Sequence, residues 1–285
     1  MTAQPDGSSS ACLSIDGDDV YYATEGVPDA PVVVLGHGAG GNHAIWFQQV
    51  PVFAADYRVV TWDQRSFGNS TNRHGLANPR TATNDLLAIL DHLGVERAHV
   101  VGQSLGGWAA MGLAIAHPDR VRTLVLADTL GGIPVEGWWK ARNTAPREGP
   151  FNHPALANDF CVANPVRAHL YLEIGGLRRD PDADPTALIR TLGDVTFDDA
   201  QLAALELPTL FIVGTEDEIF PPDWIAAAAA RVPGARVETV EGAGTRRTSS
   251  RPTSGTPWSR TSGANRRNSV NNCLRAHVSS RHPDG

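Results

Sequence analysis

Residues 99–118 read HVVGQSLGGWAAMGLAIAHP. HVVGQ is an apolar strand pattern, LGGWAAMGLAIAHP an apolar helix pattern stopped near Pro118, and Gly102-Gln103-Ser104-Leu105-Gly106 at their junction fits G-x-S-x-G. A serine on so sharp a strand-to-helix turn is held in a strained conformation with its Oγ exposed, and the flanking glycines remove side chains that would clash. The pentapeptide alone is common; the strand before it and the helix after it give it meaning. The reading is a nucleophilic Ser104, against the blander alternative of a chance Gly/Ser turn in a βα unit.

The same alternation extends in both directions. DVYYATE (19–25), PVVVLGHG (31–38), YRVVTWD (57–63), VRTLVLAD (121–128), TLFIVG (209–214) and ARVETV (235–240) read as strands, and residues 82–94 and 221–232 as helices. Continuous apolar strands alternating with helices predict an α/β fold with a mostly parallel, doubly wound sheet. Residues 129–205 break the alternation with prolines and mixed helical patterns. They read as a helical cap insertion at 131–205 in a core formed by 1–130 and 206–244. Trp138, Trp139, Phe151 and Phe160 in that insertion fit an apolar pocket, although buried aromatics are more often plain core.

The chain has 285 residues, 41% of them apolar, enough for one α/β domain with an insertion. No apolar run approaches the length of a membrane span. MTAQPDGSSSAC at the start has no basic region followed by an apolar stretch, so a cytoplasmic protein is expected. Cys12, Cys161 and Cys273 are odd in number and far apart, which gives neither a disulfide framework nor a metal pair. No metal or other cofactor is expected.

His37-Gly38-Ala39-Gly40-Gly41 closes the strand at 31–38. A glycine-rich turn there can aim backbone N–H groups at a developing oxyanion, and the candidate donors are the amides of Ala39 and Leu105. A plain turn or a phosphate cradle is the alternative, but neither G-x-x-x-x-G-K-[ST] nor a clean G-x-G-x-x-G is present. His37 reads as a structural, hydrogen-bonding histidine.

GHGAGG (36–41), WDQRSFGNS (62–70), GQSLGG (102–107) and GTEDEIFPP (214–222) stand in the order and spacing of the α/β-hydrolase superfamily, which the chain resembles over residues 19–244. The resemblance is to small capped hydrolases, a group that includes esterases, enol-lactonases and meta-cleavage-product hydrolases. It implies an eight-stranded, mostly parallel sheet, a cap over the site and a triad in the order Ser, acid, His. Ser104 sets the chain apart from dehalogenase and epoxide hydrolase branches that use an Asp nucleophile. Ser66 departs from the pattern, since relatives usually have Gly in that turn. The resemblance implies Asp217 as the acid, at the G-x-x-D position after strand 209–214, where it would orient the histidine. Asp128, at the end of the preceding strand, is the rival acid.

The expected histidine lies just past Gly242-Ala243-Gly244, but Thr245 stands there. From this point the composition changes. Residues 245–285 hold eight arginines against one acid, Asp284, while residues 1–244 carry 16 basic and 30 acidic side chains. Lysine occurs once, at Lys140, against 23 arginines, as a GC-rich gene would give. With one synonymous codon choice for residues 245–262 and one C restored in front, the shifted frame reads HSAYFEPPDEWNAVVTDF, with the missing histidine first. The tail is therefore read as a frameshift product. The alternative is a genuine disordered basic tail, which the composition also permits.

Three functions compete on this reading. The first is a hydrolase of small carboxylic esters, lactones or related carbonyl compounds. The second is an inactive α/β-hydrolase-fold protein or binder, because Thr245 replaces the histidine. The third is a nucleic-acid-binding protein using the arginine tail. That tail has one Trp and no Phe or Tyr, so no stacking platform is evident and no nucleic-acid partner is expected. The partner expected is a small-molecule substrate, with no membrane; nothing in the sequence sets the oligomeric state.

Overall fold

The computed structural model describes residues 2–3, 8–138, 158–241 and 243. The basic tail, Thr245, Cys273, Trp139, Phe151 and the Phe160 side chain lie outside them. The described strands are β1 Thr2–Ala3, β2 Ser9–Ile15, β3 Asp18–Gly26, β4 Val32–Gly36, β5 Arg58–Trp62, β6 Ala98–Gln103, β7 Val121–Ala127, β8 Thr209–Gly214 and β9 Arg236–Val240. They form one sheet in the order β1-β2-β3-β5-β4-β6-β7-β8-β9. From β5 to β9 every pairing is parallel, and the β1–β2, β2–β3 and β3–β5 pairings are antiparallel. The resemblance implies eight strands; the ninth is the two-residue β1. The sequence reading also passed over β2, whose inward residues Ala11, Leu13 and Ile15 alternate with polar ones too weakly to register.

The α-helices are α1 Val50–Phe53, α2 Pro79–His92, α3 Gly106–Ala116, α4 Asn158–Ala163, α5 Pro165–Gly176, α6 Thr186–Arg190, α7 Asp199–Ala203 and α8 Pro222–Ala229. Asn78 starts α2 by accepting the Thr81 N–H at 3.0 Å, with Pro79 at the first helical position, and the helix buries Ala82, Leu86, Ile89 and Leu90. α3 is apolar all round because it lies between the sheet and α2, and Trp108, Ala109, Ala110, Met111, Leu113 and Ala114 are all buried. One face of the sheet packs on α2, α3 and α8. On the other face, Val33, Leu35, Val59, Val101, Val125, Leu210 and Ile212 cluster with Trp46, Val50, Phe53 and Tyr57 from α1 and its flanks. Between β7 and β8 the described residues form helices and turns and no strand. Cys12 and Cys161 are free thiols.

The WDQRSFGNS segment ties the antiparallel end of the sheet to the helices. Arg65 is 1% exposed and reaches Asp85 on α2 at 2.9 Å and Asp18 on β3 at 3.0 Å. Asp63 accepts from the N–H of Asn69 at 2.7 Å and from His43 Nδ1 at 2.9 Å. Both motif residues are therefore engaged in holding the loop together.

Candidate active site

β6 delivers Ser104 to the carboxyl end of the sheet, and α3 begins two residues later. Ser104 has φ +48°, a left-handed conformation that a serine adopts only where its surroundings enforce it. Its N–H donates to the Ala127 carbonyl at 2.9 Å, and its own carbonyl accepts from Gly107 N at 2.9 Å and from Thr129 Oγ at 2.7 Å. The glycines around it are needed for space. A Cβ on Gly102 would lie 2.6 Å from the Gly106 carbonyl oxygen, and a Cβ on Gly106 would lie 2.5 Å from that of Gly36. Thr129, passed over by the sequence reading, locks the turn from β7. Its only signal in the sequence was a hydroxyl residue just past a strand.

The HGAGG turn faces this elbow. A Cβ on Gly38 would lie 3.1 Å from Ser104 Cβ, so the turn passes directly beside the serine. Gly41 N donates to the Gly38 carbonyl at 3.1 Å and closes the turn. Among the described residues neither the Ala39 N–H nor the Leu105 N–H is bonded to another group, which leaves both amides for a ligand oxygen. The turn is braced by the helical segment between β7 and β8: Asn42 Nδ2 donates to the Ile174 carbonyl at 2.6 Å, at the end of α5. His37 is fully buried with both ring nitrogens engaged, Nδ1 on the Gly38 carbonyl at 2.8 Å and Nε2 accepting Gln64 N at 3.0 Å. Burial holds it below the usual histidine range, so it is a neutral brace.

The acid and its rival come together. Asp217 is 4% exposed on the loop after β8, and its Oδ1 accepts the N–H groups of Ile219 at 2.8 Å and Phe220 at 2.9 Å. Asp128 leaves β7 with φ +47° and accepts the Gly214 N–H at 3.2 Å. The Asp217 carboxylate lies close enough to Asp128 for its charge to act on it. Burial first, and then the Asp217 charge, push Asp128 up to about 7. Phe220, bonded to Asp217 through its amide, stacks on Trp138 at 6.3 Å, and Trp138 lies 5.6 Å from Trp108 of α3. The acid is thus attached to an apolar aromatic wall. Among the described residues no group of three or more His, Cys, Asp or Glu side chains is placed to hold a metal. Nor is any described helix long and apolar enough to cross a membrane.

The sequence model of the alpha/beta hydrolase fold matches residues 31–166. The RutD protein of Caulobacter sp. strain K31, which carries the name of a carbamate hydrolase, is 30% identical over 245 residues, covering 78% of this chain and 87% of its own. The chain belongs to the α/β-hydrolase family. Another member, 3-oxoadipate enol-lactonase 1 of Acinetobacter baylyi, is 30% identical and covered over 71% of this chain and 77% of its own. Among solved α/β-hydrolase structures, a hydrolase from Pseudomonas aeruginosa superposes with a TM-score of 0.73 at 24% identity, covering 96% of this chain and 99% of that one. The enol-lactonase from Burkholderia xenovorans gives 0.71 at 22% identity, covering 94% and 100%. At these identities the structures show the shared fold.

Proposed function

We propose that this protein is a serine hydrolase of small carboxylic esters, lactones or related carbonyl compounds, working through an acyl-enzyme on Ser104. The observation that carries the reading is the left-handed elbow at Ser104, set beside a glycine turn whose Ala39 amide is unbonded. Oγ attacks the substrate carbonyl, and the amides of Ala39 and Leu105 receive the oxyanion, where preorganised donors act most strongly. Asp217 orients a histidine that takes the serine proton and returns it to the leaving group. The names of the relatives, a carbamate hydrolase and an enol-lactonase, support an ester-like carbonyl substrate. We place the protein in the cytoplasm, with a small molecule as the partner of the site.

One observation favours a second reading. Thr245 occupies the histidine's place in the sequence. Without that base the chain is an inactive α/β-hydrolase-fold protein or a binder, and a frame-corrected gene is its active counterpart. Fluorophosphonate labelling separates the two, because only an activated serine reacts quickly. Rapid labelling abolished by Ser104→Ala supports the hydrolase; labelling no faster than that of free serine supports the inactive reading for this chain.

A further inference from the structure

A helix ends in carbonyls that its own turns leave without a donor. At the end of α5 the glycine turn supplies one. The Ile174 carbonyl accepts from Asn42 Nδ2 at 2.6 Å as well as from Leu177 N at 3.1 Å, and the Leu177 carbonyl takes a longer bond from the same Asn42 nitrogen at 3.4 Å. The other end of that amide serves its own stretch of chain. Asn42 Oδ1 accepts the Ala44 N–H at 3.0 Å and caps the short 3-10 helix His43–Trp46. With carbonyls on one side and an N–H on the other, only this orientation of the amide satisfies both. One side chain, 2% exposed, thus closes two helices.

The same two segments touch a second time. A Cβ on Gly175 would lie 2.3 Å from the Gly40 carbonyl oxygen. Gly175 is not among the glycines with positive φ, so glycine stands there for space. The backbone of α5 therefore rests directly on the HGAGG turn. That turn is closed by Gly41 N on the Gly38 carbonyl at 3.1 Å, with Ala39 and Gly40 as its central residues. His37 Nδ1 fixes its first residue at the Gly38 carbonyl, 2.8 Å away. Its far half, from Gly40 to Asn42, is fixed by α5.

We propose that Asn42 and Gly175 are positioning residues of the hydrolase site: through them the end of α5 sets where the Ala39 amide stands relative to Ser104. This role rests on the hydrolase reading of Ser104. Neither residue supplies an atom to the chemistry. An oxyanion donor acts only at hydrogen-bond distance from the place where the charge develops, and a misplacement of about 1 Å costs on the order of a hundredfold in rate. A turn built mostly of glycine has little stiffness of its own to hold that tolerance. The segment after α5 is also attached away from the turn. Arg179 N donates to the Gly68 carbonyl at 2.7 Å, and Arg179 Nη1 meets Asp19 at 3.0 Å. That second attachment separates a brace on the turn from mere docking of the segment.

Two measurements on the full chain test this role, with folding checked by circular dichroism. The first is hydrogen–deuterium exchange by mass spectrometry on a peptide spanning 36–49. It follows the bonded Gly41 and Ile45 amides and needs no reactive serine. Asn42→Ser keeps an acceptor for the Ala44 N–H but is too short to reach Ile174, and Gly175→Ala forces the Gly40 carbonyl away. Each should speed exchange in the turn at least threefold. The second is saturation labelling of Ser104 by a fluorophosphonate. Both variants should lower the limiting labelling rate at least tenfold, while the half-saturating concentration stays within twofold, because donors to the oxyanion act on the chemical step. Arg179→Met, which leaves the turn's contacts in place, should change neither readout. Parental exchange in the folded Asn42→Ser and Gly175→Ala proteins overturns the proposal. So does an unchanged limiting rate, or an equal loss in Arg179→Met, which would assign the effect to docking of the segment. If the parent is not labelled at all, the hydrolase reading fails for this chain and exchange alone decides the brace, so the two failures are distinct.

Discussion

Two acid pairs in this molecule have opposite surroundings. At one end Asp18 and Asp85 converge on Arg65. Burial works against their ionisation, but Arg73 N–H, Thr71 Oγ and Arg65 hold the Asp18 carboxyl below its ordinary value, and the two acids in turn keep the Arg65 guanidinium charged. At the other end Asp128 lies beside Asp217, and burial and then the Asp217 charge raise it. The first pair is a closed electrostatic unit with nothing left to do. The second is a place where one acid raises the pKa of the other, whereas in a complete triad the imidazolium of the histidine stabilises the acid's charge.

The largest effect comes from supplying the histidine whose place Thr245 takes. A frame-corrected gene, with histidine in place of Thr245, should raise kcat/KM on a short-chain nitrophenyl ester by several orders of magnitude. Removing the histidine from a complete triad costs on the order of 10⁶ in kcat. Ser104→Ala in the corrected protein should abolish the gain. A folded, corrected protein no faster than the given chain on ester and lactone panels would end the frameshift account.

Breaking the first pair should cost stability and leave chemistry alone. Arg65→Met leaves two buried carboxylates without their cation, and removing one partner of a buried ion pair destabilises by about 3–5 kcal/mol. Urea unfolding should show the loss. A change below about 1 kcal/mol would mean the network is not the tie between β3 and α2 that its distances indicate.

Asp128 gives the reverse result. It binds its proton more tightly folded than unfolded, so its stabilising contribution is complete below the unfolded value of 3.8 and vanishes as pH rises through about 7. The parent should therefore lose stability between pH 4 and 7 through this group. Asp128→Asn should remove that slope and be the more stable protein at pH 8, by about 4 kcal/mol on the scale set by such a shift. Equal pH dependence of the melting temperature in both proteins would show that Asp128 holds no proton in this range.

Much of this arrangement was legible in the sequence, and the rest was hidden for physical reasons. β4, β6 and β8 announce themselves as unbroken apolar runs, and Ser104 by a local pentapeptide whose glycines answer to contacts within a few residues. Asp217 was legible only through the G-x-x-D pattern that the family resemblance implies after β8. The pairing of Asp128 with Asp217 was not legible, because it depends on the register of three parallel strands whose residues lie far apart in the chain. Arg65 was visible only as a letter of a motif; its partners Asp18 and Asp85 come from β3 and α2. Thr129 showed only as a hydroxyl residue just past a strand, because its bond to the Ser104 carbonyl exists only once β6 and β7 lie side by side.

The smallest effect concerns backbone strain, and it sharpens the same contrast. Ser66 sits beside Arg65 with φ +72°, is 1% exposed, and its buried hydroxyl has no hydrogen-bond partner among the described residues. Left-handed backbone costs a non-glycine residue about 1–2 kcal/mol, and a buried unsatisfied hydroxyl about 1–3 kcal/mol. Glycine gives back about 0.5–1 kcal/mol through the greater freedom of the unfolded chain. Ser66→Gly, which restores the residue that the family resemblance leads one to expect, should stabilise the protein by about 1 kcal/mol, a rise of roughly 2–4 °C in Tm. It should leave the labelling rate of Ser104 unchanged. The same relief at Ser104 or Asp128 would remove the side chain that the strain exists to present. A stabilised Ser66→Gly protein with altered labelling would mean that the two ends of the molecule are coupled, and that strain in the WDQRSFGNS turn is felt at the nucleophile.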